Sequence, residues 1–286
     1  MHLFRGSTIA LALCLAVAGC GSGTETAASS GTTSSGPAIH RTAEFDAIGV
    51  IGHSGATGAN STGEGPDVPG NSWATGDNPV VNSVYLRLLA DHPALKGHNY
   101  NTAKDGSDAS ALMGQAEALL AMDPVPDLVL VNSIDNDIRC DGSDEANYDG
   151  FETQIDDVLT HLEKNAPGIR VFFVDQWTTV AKYDDVVAPL PGGLAHGTDS
   201  GPCGVFNADG SRDLEGETYL QQQVDAYMDR IIAVCGRHDD CATDQKAMQG
   251  MPLEAADLAP DFDHLAASGL AKEAAIAWEA LPSDWK

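Results

Sequence analysis

Ser54 stands at the end of an apolar run, in the stretch VIGHSGATG from Val50 to Gly58, and near the far end of the chain Asp261 and His264 are separated by two residues in DFDH. A serine hydroxyl is a poor nucleophile until a base takes its proton, and an imidazole serves as that base only when a third group fixes its tautomer and orientation. The three-residue step allows the Asp261 carboxylate to reach Nδ1 of His264 from one short loop, leaving Nε2 for the Ser54 Oγ. Two further polar turns lie between these segments, KDG ending at Gly106 and IDNDI with Asn136. Taken singly, each residue has a plainer reading: Ser54 as a helix N-cap, Gly106 as a helix entry, Asn136 as a turn residue and His264 as an exposed helix start.

The elements that would position these residues are readable. AIGVIG (47–52), DLVLVNS (127–133) and RVFFVDQ (170–176) are compact apolar runs of strand length, and HNYNTA (98–103) is a weaker one. Continuous runs of this kind suit strands covered on both faces, as in a parallel sheet. Between them, residues 78–92, 107–122, 147–168, 216–236 and 264–281 carry apolar side chains at three- and four-residue spacings, and Pro167 and Gly168 end the third. Alternating strands and helices predict a three-layer α/β domain over residues 44–286, whose ligand site lies past the carboxyl ends of the strands. Ser54, Gly106 and Asn136 follow successive strands in that reading. Residues 184–216 are rich in Gly and Pro without periodicity and read as one long loop, a candidate wall or lid on the substrate side.

These blocks, in this order, resemble the SGNH hydrolases, the GDSL-type esterases and lipases. GHSGATG matches the serine block at Ser54, NTAKDGSDAS the second at Gly106, PDLVLVNSIDND the third at Asn136, and DFDH the last at Asp261 and His264. The resemblance implies a flavodoxin-like α/β/α sandwich with a central parallel sheet and metal-independent ester hydrolysis without a cofactor. It implies Ser54 as nucleophile, His264 as base and then acid, and Asp261 as its orienting partner. The Ser54 and Gly106 N–H groups and the Asn136 amide would form an oxyanion hole, each donor worth ~3 kcal/mol in the transition state. Two positions depart from the family pattern: His53 replaces the Asp before the serine, and Ile134 the Gly two before the Asn. His53, leaving a strand next to Ser54, points away from it and suits a structural or rim role. Two other readings stay open: a non-catalytic ligand-binding protein on the same scaffold, and an α/β-hydrolase. The latter's serine lies in G-x-S-x-G, whereas position 56 here is Ala.

The first twenty residues read as a targeting segment. Arg5 precedes STIALALCLAVAGC, too short for a spanning helix and suited to a secretory h-region. VAGC resembles a bacterial lipobox, which predicts a signal peptide over 1–19, lipidation of Cys20 and a flexible Gly/Ser/Thr tether over 20–43. The domain would then sit outside the cytoplasmic membrane, attached through the lipid alone. Four cysteines remain, Cys140, Cys203, Cys235 and Cys241. In an exported domain they predict two disulfides, with the short GRHDD loop favouring 235 to 241 and leaving 140 with 203. The spacings fit no common zinc module. His196 and His238 fall in segments that read as solvated loops. With 42 acidic against 15 basic residues the net charge is −27, and the chain lacks the clustered Lys and Arg that nucleic acid requires. Small-molecule, lipid or polysaccharide esters all fit as substrates.

Overall fold

Alternate residues of the first strand face opposite ways, and each set meets a separate apolar layer. The computed structural model describes residues 45–63, 65–198 and 201–286. In these, β1 (Ile48–Gly52), β2 (Asn99–Asn101), β3 (Leu128–Asn132), β4 (Arg170–Val174) and β5 (Cys241–Thr243) form one parallel sheet in the order β2-β1-β3-β4-β5. The helices are α1 (Ser54–Thr57), α2 (Val84–Asp91), α3 (Leu112–Leu120), α4 (Asp144–Asn165), α5 (Val180–Val187), α6 (Gly193–His196), α7 (Leu214–Cys235) and α8 (Ala267–Ala280).

Ile48, Val50, Leu128, Leu130 and Phe172 pack with Val84 and Leu88 of α2 and Leu270 and Ala274 of α8. On the other face Ile51, Val129, Val131 and Phe173 meet Leu119 of α3, Ile155 of α4 and Ile231 of α7. This is the expected three-layer α/β/α sandwich, and the all-buried strands explain its continuous apolar runs. The strand order reverses direction between β1 and β3, so the crevice for a ligand lies where those two strands end.

Side-chain caps set several helix starts. Ser83 Oγ accepts from Leu86 N–H at α2, Thr179 from Lys182 at α5, and Asp213 from Glu215 and Gly216 at α7. The predicted helix over 78–92 is shorter than its periodicity suggested. Residues 78–82 form a turn on the Asn78 carbonyl, with Asn82 at φ 50°, and α2 starts only after Ser83. The disulfides are Cys140–Cys203 and Cys235–Cys241, as expected.

The reading of residues 184–216 as a structureless loop is corrected. Their start belongs to α5, α6 follows, Phe206 bridges Arg212, and α7 begins at Leu214. Arg212 holds the segment together through Asp184, Asp185 and Glu217. His238 is likewise not solvated: its side chain is 9% exposed and bridges Glu163 (2.8 Å) and Asp156 (3.3 Å). The signal segment, Cys20 and the tether to residue 43 lie outside the described residues. Among the described residues no helix is long and apolar enough to cross a membrane.

Candidate active site

A turn that admits only small residues delivers Ser54. β1 ends in Gly52 at φ 134°, where a Cβ would lie 1.9 Å from the Asn132 carbonyl oxygen of β3. Gln115 of α3 clasps this glycine, accepting from its N–H (2.6 Å) and donating to its carbonyl (3.0 Å). His53 then caps α1 through Nδ1, which accepts from Gly55 N–H at 3.1 Å. Ser54 is therefore the first helical residue, and its backbone N–H has no acceptor within the helix.

His53 caps α1, a structural role, but it does not turn away from Ser54: it lines the same cleft as Ser54 and His264. It is 4% exposed. Burial pushes its imidazole pKa down, with Asp135 opposing and His264 reinforcing the change. The ring is neutral, and with Nδ1 accepting, the proton sits on Nε2, so His53 is not available as a base.

His264 is held by its own loop. Asp261 Oδ1 accepts the N–H groups of Asp263 and His264 at 3.2 Å each, while Oδ2 pairs with His264 Nδ1 at 2.8 Å. Phe262, between them, takes the left-handed conformation that closes the turn (φ 67°). Asn60, just past α1, donates to the same Oδ2 at 2.5 Å. Burial pushes the Asp261 carboxyl up, but the bonds from His264 and Asn60 outweigh it and hold it below its ordinary value. An ionised Asp261 fixes the His264 proton on Nδ1 and leaves Nε2 as the basic nitrogen.

Ser54 and His264 line one narrow cleft of about 10 Å³, with Gly58, Leu265 and Glu273 among its walls. The fold thus places Ser54 and His264, from opposite ends of the domain, on the same cleft. Glu273 of α8 is 1% exposed, and neither carboxyl oxygen has a hydrogen-bond partner. Burial raises its pKa well above the usual carboxylate range, so it carries its proton.

Gly106 and Asn136 are brought to each other. Asn136 Nδ2 donates to the Ser107 carbonyl at 3.0 Å, leaving the second N–H of that amide. Gly106 adopts φ 71°, and both residues are exposed. Neither lines the Ser54 cleft; Asp135, the chain neighbour of Asn136, does. Ile134, at the position where the resemblance expects Gly, is fully buried at φ 124°. A β-branched residue there stores strain of about 1–3 kcal/mol, held by the surrounding core.

Three participants escaped sequence reading. Asn60, Gln115 and Glu273 carry no motif, and only the fold places them beside Asp261, Gly52 and Ser54. Among the described residues no cluster of three or more His, Cys, Asp or Glu is arranged to hold a metal ion.

No protein-family model and no curated protein matches the sequence. Solved structures share the fold. A GDSL-like lipase from Parabacteroides merdae is 15% identical, with a TM-score of 0.52 over 83% of this chain and 96% of its own. Phospholipase A1 from Streptomyces albidoflavus is 13% identical, with a TM-score of 0.51 over 82% of this chain and 99% of its own. The similarity is one of fold.

Proposed function

We propose that this α/β/α domain is a serine ester hydrolase of the SGNH type, acting through an acyl-serine intermediate. The observation that carries the reading is that His264, paired with Asp261 at 2.8 Å, lines the same cleft as Ser54. Ser54 Oγ attacks the ester carbonyl carbon as His264 Nε2 takes its proton, and the imidazolium is stabilised by Asp261. The oxyanion is met by the Ser54 N–H; the Gly106 N–H and the remaining Asn136 N–H, the further donors the resemblance implies, lie outside the cleft and would have to move toward it. His264 then protonates the departing alcohol. Water attacks the acyl-serine with His264 as base, releasing the acid and restoring Ser54.

In the same reading the domain works outside the cytoplasmic membrane, exported by residues 1–19 and anchored through lipid on Cys20. Two disulfides support an oxidising compartment. Loss of p-nitrophenyl acetate turnover in Ser54→Ala and His264→Ala, both folded, is the expected result; full activity in either rejects the mechanism.

A second reading, a ligand-binding protein that has lost turnover, is favoured by two observations: the strained Ile134 and the Asn136 amide already donating to Ser107. The α/β-hydrolase reading has less support, since Ser54 directly follows β1 and lacks the Gly of the nucleophile elbow at position 56.

A further inference from the structure

The Ser54 cleft adjoins a larger cavity of about 220 Å³, and Asp135, Trp177 and Asp263 line both. Its walls are aromatic on the side nearest the His264 loop. Trp177 and Tyr183 lie with ring centroids 5.8 Å apart, and Phe262 packs against His196 at 5.7 Å. The Tyr183 hydroxyl donates to the Phe262 carbonyl at 3.2 Å, fixing its ring in the wall.

Acidic groups dominate this junction: His196, whose pKa is raised by its bond to Asp263, is the one basic side chain of the larger cavity among the described residues. Among the described residues no Lys or Arg lines either cavity. Asp263 is paired with His196 Nε2 at 3.0 Å, whereas Asp135 is exposed and forms no ion pair or side-chain hydrogen bond among the described residues. The field reaches the aromatic wall: after burial, Asp263, Asp184, Asp135 and Asp261 all act to raise the Tyr183 phenol pKa.

We propose that this cavity takes a compact cationic group carried by the ester, a trialkylammonium or alkylamine, bound over Trp177 and Tyr183 and balanced by Asp135. The inference rests on the esterase reading and names its substrate class. An ammonium group is attracted to aromatic faces and, beside them, to the unpaired carboxylate of Asp135. An anionic ester would meet carboxylates and no lysine or arginine. A plain hydrocarbon chain would match the aromatic walls but would gain nothing from Asp135.

The test compares isosteres that differ only in charge. Choline and 3,3-dimethylbutan-1-ol are titrated against the wild-type protein and Ser54→Ala, and hydrolysis of butyrylcholine is compared with that of 3,3-dimethylbutyl butyrate. The expected result is at least about tenfold tighter binding of the cation and a similar ratio in kcat/KM. Asp135→Asn brings both ratios close to unity. Equal binding of the two alcohols, or a preference unchanged in Asp135→Asn, overturns the proposal even if both esters are hydrolysed. Preferential choline binding without hydrolysis of either ester sustains the cationic cavity and rejects the esterase reading.

Discussion

Asn60 and His264 share one oxygen: Oδ2 of Asp261 pairs with His264 Nδ1 at 2.8 Å and accepts from Asn60 Nδ2 at 2.5 Å. Asn60 lies just past the helix that Ser54 begins, so the nucleophile segment and the base loop are tied through the carboxylate. Asn60→Ala should lower kcat by about tenfold with little change in KM, the value of one hydrogen bond to a charged group. The pH at which protonation of Asp261 abolishes activity should also move up in the pH profile, because Asp261 loses a bond that holds its carboxyl down. Unchanged kcat and pH profile would remove Asn60 from the machinery.

Asp261→Asn should be far more severe. The amide cannot hold the Nδ1–H tautomer of His264, and a loss of about 10⁴ in kcat is expected from a mis-set base. Steady-state kinetics on a folded variant checks it, and a loss below about tenfold would show that His264 needs no carboxylate partner.

The two disulfides should contribute unequally. Cys140–Cys203 closes 63 residues and Cys235–Cys241 only 6. Loop-closure entropy gives about 4 kcal/mol for the first and about 2 kcal/mol for the second. Urea unfolding of the Cys140→Ser/Cys203→Ser and Cys235→Ser/Cys241→Ser pairs should reproduce that ranking. Because Cys203 lines the large cavity, only the first pair should also raise KM.

Stability from the buried carboxyls should fall as pH rises from about 4 to about 7. Burial raises Asp175 and Asp184 to about 7 and Asp137 to about 6. These groups ionise near ~4 in an unfolded chain, so across that window the fold binds more protons, and its stability is greatest below the window and declines through it. Glu273, also raised by burial, acts with the same sign. Glu273→Gln should therefore raise the Tm at about pH 8 and leave it nearly unchanged at about pH 4. An equal shift at both values would show that Glu273 is ionised in the fold.

The triad candidates were legible because each lies in a short segment with its own signal: Ser54 after an apolar run, Asp261 and His264 at a spacing that one turn can close. The sheet was legible for a related reason, since strands buried on both faces are nearly uninterrupted in apolar residues. β5 was not, because a three-residue strand that begins at a disulfide cysteine offers no pattern. Asn60, Gln115 and Glu273 were hidden for a different cause. A polar residue's role depends on what the folded chain sets against it: Asn60 and Gln115 bond to Asp261 and Gly52 across 201 and 63 positions, and Glu273 shares a cleft with Ser54, far away in the sequence. Arg212 concealed the order in residues 184–216 in the same way, by gathering acids from two helices.

The most direct measurement of the central claim is fluorophosphonate labelling of the folded protein, with the adduct mapped by mass spectrometry. The account predicts a single adduct on Ser54 that fails to form in His264→Ala. An unmodified Ser54 in the active, folded wild type, or equal labelling in His264→Ala, would contradict it.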